Sequence, residues 1–159
     1  MMASTPNWLN SSVAYRPSDG MPMTVETAGI STSADLQSAA DTLCKKVDII
    51  FVGNDNTVAE AMPVLAKTAI ANKIPVYTGA DSMVQDGGFA TKGIDYTDLG
   101  KETANMVDEV LKGTPVSSIP VKVFKDDLYI YVNKATADAL GITIPDSITS
   151  DAKYKELGD

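Results

Sequence analysis

The sequence predicts an α/β fold on a doubly wound parallel sheet, and three observations carry that prediction. Apolar runs of strand length, "DIIFV" (Asp48–Val52), "KIPVYTG" (Lys73–Gly79) and "GGFATKGID" (Gly87–Asp95), alternate with stretches whose apolar residues recur at helical spacing. "DIIFV" has no polar alternation, the pattern of a parallel strand covered on both faces. Each of these runs leads into small polar residues, where a strand-to-helix turn belongs. Consecutive parallel strands need a helix to bring the chain back, so the order predicts right-handed crossovers.

The opening stretch to Pro22 is rich in Ser, Pro, Asn and Gly and has no period, so residues 1–22 read as a loose arm carrying Trp8 and Tyr15. "MTVETA" (Met23–Ala28) reads as a short strand, followed by a helix with Leu36, Ala39, Ala40, Leu43 and Val47 on one face. After "DIIFV" a helix presents Val58, Ala61, Met62, Leu65 and Ala69, with Pro63 in its second turn disturbing its regularity. Leu99, Thr103, Met106, Val107, Val110 and Leu111 line a later helix that stops at Gly113. "IPVKVF" and "LYIYV" flank "KDD" as two extended segments, and a short helix follows from Lys134 to Leu140. The domain reading is therefore a 1–22 arm, a 23–150 α/β lobe and a 151–159 tail.

Composition narrows the function. The chain has 159 residues, 44% of them hydrophobic, enough for one domain with a core. Thirteen basic against twenty-one acidic residues give a net charge of −8, which repels phosphate backbones and anionic headgroups. Nucleic acid is not an expected partner. With no histidine, the Ser-His-Asp and Cys-His machineries and every imidazole metal site are excluded. The single cysteine, Cys44, forms no intramolecular disulfide and reads as a half-buried structural thiol. The N-terminus has no cationic start with a long apolar core, so no export signal is read in it. No run approaches the ~20 apolar residues of a membrane span, so no membrane insertion is expected.

Three clusters carry the candidate chemistry: "GNDNT" (Gly53–Thr57), "TGADS" (Thr78–Ser82) and "GIDYTD" (Gly93–Asp98). In open α/β sheets ligands settle beyond the carboxyl ends of the strands, facing helix N-termini with unpaired amides. The plain alternative is that these residues cap their own helices, as the capping-box pattern of Thr57 to Glu60 suggests. Neither a dinucleotide fingerprint around Gly87-Gly88 nor a Walker-type loop is present, so no nucleotide cofactor is expected. Asp55, Asp81 and Asp95 are carboxylates of the type a hard cation takes, but their spacing matches no known metal loop. The residue types suit a small zwitterion. Asp55 or Asp81 is an ammonium acceptor, while Thr57, Ser82 and helix amides are donors to a carboxylate. Arg16, the only arginine, lies in the arm, so backbone amides are left to hold the anion. Tyr77 and Tyr96 flank the clusters, placed either to stack on a ring or simply to pack.

The run from Val47 to Gly113, then "IPVKVF" and "VNKATADALGITIP", resembles the extracytoplasmic substrate-binding proteins of ABC importers, in the group that includes tryptophan and other aromatic-amino-acid binders. The motifs are the DNT after an apolar strand, the "GGFATKGIDYTDLG" stretch and the closing "NKATADALGITIP", in the family's order. The likeness runs from about Thr24 to Ile148. It implies one lobe of a type I periplasmic-binding-protein clamshell, with Asp55, Asn56, Thr57, Asp81, Ser82 and Asp95 facing the ligand and Tyr96 beside them. It also implies an ABC permease as partner, an extracytoplasmic location and no catalysis. Family members are longer and devote their first part to the other lobe, so the chain reads as a truncated or derived member. The helix near Thr97–Lys112 would pack on that other lobe, and leaving its apolar face open costs ~1.5–3 kcal/mol per large side chain. A homo-oligomer, or a complementary lobe, is therefore expected to cover it. Two other readings stay open: a ligand-sensing effector domain of a regulator or receptor, and an enzyme on the same sheet using Asp, Lys and Tyr.

Overall fold

A computed structural model describes residues 24–158. The expected arm, with Trp8, Tyr15 and Arg16, lies outside the described residues, as does Met23 at the start of the first predicted strand. Thr24 to Ile30 form no regular element, so no strand precedes the first helix in that stretch.

The described chain begins its regular structure with a 3-10 turn, Ser33–Asp35, leading into α1 (Leu36–Leu43). Asp35 anchors this start by accepting hydrogen bonds from the amides of Ser31 and Thr32 and from the Thr32 hydroxyl. Leu36, Ala40 and Cys44 recur every four residues and are buried, as the predicted stripe requires. Cys44 is a free thiol whose burial pushes its pKa up.

β1 (Ile50–Val52) then enters the sheet, followed by α2 (Asn56–Glu60) and α3 (Met62–Ala71). One helix was expected here. Pro63 has no N–H for the carbonyl of Ala59 and its ring crowds that turn, so the helix breaks at Ala61 and restarts with the proline in its first turn. Met62, Leu65, Ala66 and Ala69 of α3 are buried against α1 and the sheet.

β2 (Val76–Thr78), α4 (Asp81–Gln85) and β3 (Ala90–Gly93) complete the parallel part. α5 (Tyr96–Leu111) follows and ends at Gly113, whose φ of +96° suits glycine. β4 (Tyr129–Asn133) pairs antiparallel with β3, and α6 (Lys134–Leu140) and α7 (Asp146–Thr149) lead to β5 (Tyr154–Leu157), parallel to β4. Strand order follows chain order, β1-β2-β3-β4-β5.

The α/β class is observed, with a mostly parallel sheet and one antiparallel junction. The junction has a physical reason. A crossover helix packed on a sheet returns the chain to the strands' starting end, but α5 buries none of its residues. The chain comes back through 112–128 and re-enters the sheet from the end it left. "IPVKVF" takes part in no strand, with Val121 and Val123 exposed. The expected tail is a further correction: Tyr154–Leu157 are the edge strand of the sheet, held by four register pairs to β4, so the folded unit continues past residue 150.

The expectation of double coverage for "DIIFV" also needs correction. Ile50 and Val52 are buried while Phe51 between them is 39% exposed, and Tyr77 repeats the pattern between Val76 and Thr78. Among the described residues helices cover one face of β1 and β2, and the other face is open.

Candidate functional site

The carboxyl ends of β1, β2 and β3 bring the three predicted turns side by side. Gly79 is pressed against Asn54: a methyl group there would stand 2.7 Å from Asn54 Oδ1 and 2.9 Å from its amide nitrogen. Gly93 lies next to Gly79, whose carbonyl would be 3.7 Å from a Cβ on Gly93. The Thr91 hydroxyl donates to the Thr78 carbonyl at 2.5 Å, stitching β3 to the end of β2. "GNDNT", "TGADS" and "GID" therefore share one rim.

Within that rim, several predicted side chains hold their own turns. Asp55 is the N-cap of α2: its Oδ1 accepts from the amides of Thr57 at 2.8 Å and Val58 at 3.2 Å. Thr57 sits inside the helix, so the capping pattern expected at Thr57 to Glu60 belongs to Asp55 instead. Asp95 caps α5 in the same way, accepting from Thr97 at 2.8 Å and Asp98 at 3.3 Å. Asp81 accepts from the amide of Ser82, in the first turn of α4. Asn56, Ser82 and Tyr96 are exposed. The α2 cap engages Oδ1 of Asp55 and leaves Oδ2 free of backbone bonds.

Asp55 and Thr57 also form one end of a groove of about 580 Å³ at the open edge of β1. Its walls are apolar, with Ile30, Leu36, Phe51 and Val52 among them. Asp81, Ser82, Asp95 and Tyr96 do not line this groove. Asp95 instead belongs to a neighbouring group at the β3–β4–β5 side. Lys155 Nζ lies 2.5 Å from Asp95 Oδ2 and sits over the ring of Tyr129, 4.2 Å from its centroid, with Tyr131 at 5.6 Å. The Tyr131 hydroxyl approaches the same Asp95 oxygen at 3.4 Å. Among the described residues no three acidic, His or Cys side chains come together in a way that would hold a metal ion.

The electrostatics follow from these contacts. The ammonium of Lys155 holds the Asp95 carboxyl well below the usual carboxylate range, with the Thr97 and Asp98 amides adding to it against the opposing effect of burial. Asp95 in turn raises the Lys155 pKa. Tyr131 is pushed up, first by burial and then by the charge of Asp95, with the charge of Asp81 adding to it.

Lys155, Tyr129 and Tyr131 were not read as site residues. The signal lies in "KYKEL", whose apolar Tyr154 and Leu157 bracket charged positions as an edge strand does, although by local pattern alone it reads as a tail. The partner of Lys155, Asp95, is sixty residues away, beyond the range of any local pattern.

Comparison with known proteins decides the family. Residues 15–155 match the family profile described as ABC transporter substrate binding protein. The chain belongs to that family. Over 112 residues it is 38% identical to the tyrosine-binding protein of Clostridioides difficile (strain R20291), covering 70% of this chain and 32% of that protein. Among solved structures it is similar to an ABC domain from Streptococcus pneumonia in complex with L-Trp, at 38% identity and TM-score 0.73, covering 83% of this chain and 44% of that one. It is also similar to a ligand-free, open substrate-binding protein with adhesive properties from Clostridium difficile, at 36% identity and TM-score 0.66, covering 82% and 43%. The chain thus spans about a third of the curated relative and under half of these solved chains. No helix among the described residues of this substrate-binding family member is long and apolar enough to cross a membrane.

Proposed function

We propose that this chain forms the ligand-facing rim of an amino-acid-binding component of an ABC importer, working outside the cytoplasm and without catalysis. The observation that carries the reading is the contact of Asn54 with Gly79 and of Gly79 with Gly93, which gathers three polar turns at the carboxyl ends of three neighbouring strands. The tyrosine and L-Trp named for two relatives support an aromatic amino acid as the ligand class.

In this reading the free oxygen of Asp55 accepts the ligand ammonium, a charge-assisted bond stronger than a neutral one. Asn56, Thr57, Asp81 and Ser82 supply further polar contacts around it. Asp95 and Tyr96 close the far side. The apolar walls beside Asp55, including Phe51 and Ile30, take the ligand's ring.

A clamshell buries its ligand by closing a second wall over it, and the open face of this rim needs such a wall. A second copy of the chain provides it, seated on the uncovered apolar side of α5, where Val107, Val110 and Leu111 are exposed. Isothermal titration with a panel of free amino acids tests the function. Heat with aromatic members is expected, and no heat with any of them contradicts it.

A further inference from the structure

The rim just described contains a cation that is already holding a carboxylate. We propose that Lys155 is the carboxylate-recognising residue of the rim and that Asp95 occupies its place until a ligand carboxylate displaces it. The inference rests on the amino-acid-binding reading and assigns to it a residue outside the predicted set.

Three observations support it. First, Lys155 is a cation placed against one of the predicted site carboxylates, at 2.5 Å from Asp95 Oδ2. A zwitterion brings one charge of each sign, and Asp55 and Asp81 answer only the positive one. Second, Lys155 is arranged for exchange. Its side chain is 40% exposed, so its ammonium is reachable from solvent, whereas the Asp95 side chain is 16% exposed. Third, Asp95 does not depend on Lys155 for its hydrogen bonds. It keeps the amides of Thr97 and Asp98 on Oδ1 and the Tyr131 hydroxyl near Oδ2 when the ammonium turns away. Exchanging one carboxylate partner for another leaves Lys155 paired throughout, while Asp95 gives up its counter-ion and relies on the Thr97 and Asp98 amides.

Tyr129 and Tyr131 complete the device. The Tyr129 ring beneath the ammonium holds Lys155 in place by cation–π attraction when its carboxylate partner changes. The register pairs Gly93 with Tyr129 and Tyr131 with Lys155, so backbone ladders place all four groups at the same end of the sheet as the β3 turn. A purely structural role, tying β5 to the start of α5, is the competing account, and ligand selectivity separates the two.

The test is titration of the full chain with L-tryptophan, tryptamine, which lacks the carboxylate, and indole-3-propionate, which lacks the ammonium. Lys155→Met is expected to weaken L-tryptophan and indole-3-propionate by about tenfold or more, the scale of one hydrogen bond to a charged group, and to change tryptamine less than about twofold. Lys155→Arg should restore most of the loss. Asp95→Asn keeps an oxygen for the α5 amides and removes the internal competitor, so indole-3-propionate should bind more tightly; this variant decides the matter if Lys155→Met does not fold. Wild-type binding of L-tryptophan with no selective loss in Lys155→Met, or no gain in Asp95→Asn, overturns the role of Lys155 and leaves the amino-acid reading standing. Absence of binding by wild type to all three compounds overturns both.

Discussion

Asn133 reaches back 49 positions to donate its Nδ2 to the carbonyl of Val84 at 2.8 Å, while its Oδ1 accepts from the amide of Thr136 at 2.9 Å. One buried side chain therefore joins the end of β4 to α4 and caps α6. Replacement by alanine removes a helix cap, about 1 kcal/mol, and one hydrogen bond to the Val84 carbonyl, which keeps the Gly87 amide, about 0.5–1.5 kcal/mol. Asn133→Ala is expected to lower stability by about 1.5–2.5 kcal/mol in urea unfolding. Asn133→Asp keeps the cap but sets a buried carboxylate oxygen against the Val84 carbonyl, so its loss should be at least as large; a loss well below that of alanine would show that the Val84 contact carries no weight.

Asp55 has a divided role that substitution can separate. Asn at this position still offers an oxygen to the amides of Thr57 and Val58, so Asp55→Asn should unfold within about 0.5 kcal/mol of wild type. Its affinity for an amino acid should fall more than its affinity for the deaminated analogue, because only the former places an ammonium on the carboxylate. Equal losses for the two ligands would reduce Asp55 to a cap.

The Asp95–Lys155 pair sets a pH window for stability. The folded-state pKa of Asp95 lies below its unfolded value of about 3.9, so the pair's contribution is complete above that value and is lost as pH falls toward the folded value. Lys155 is shifted up from about 10.4, so its contribution is complete below that value and fades as pH rises through the folded one. With Lys155 partly exposed, screening reduces the coupling to about 0.5–1 kcal/mol. A double-mutant cycle of Asp95→Asn and Lys155→Met, followed by urea unfolding, should show that coupling at pH 7 and a steady decline below pH ~4. A coupling independent of pH would contradict the pairing.

α5 carries its apolar stripe into solvent, with Leu111 81% exposed. Sedimentation at micromolar concentration should find self-association, and Val107→Glu with Leu111→Glu should shift the chain toward monomer. A compact wild-type monomer would remove the second copy from the account.

Much of the fold was legible because it rests on short-range pattern. α6 occupies Lys134–Leu140 as expected, since a cap, an apolar spacing and Gly141 with φ +77° all lie within nine residues. β1, β2 and β3 follow their apolar runs for the same reason. The misses are long-range. Whether Tyr154–Leu157 are a tail or a strand depends on β4 being free to pair, and β4's direction depends on α5 standing off the sheet. At the site, the turns were readable as strand ends, but Lys155 was not, because its partner Asp95 is sixty residues away.

Amide-resolved NMR of the labelled chain, titrated with L-tryptophan and L-tyrosine, tests the central claim most directly. The account predicts saturable shifts gathered at Asn54–Thr57, Gly79–Ser82 and Gly93–Asp98, with Tyr131 and Lys155 moving alongside them. Shifts confined to other surfaces, or none at all at millimolar ligand, would contradict it.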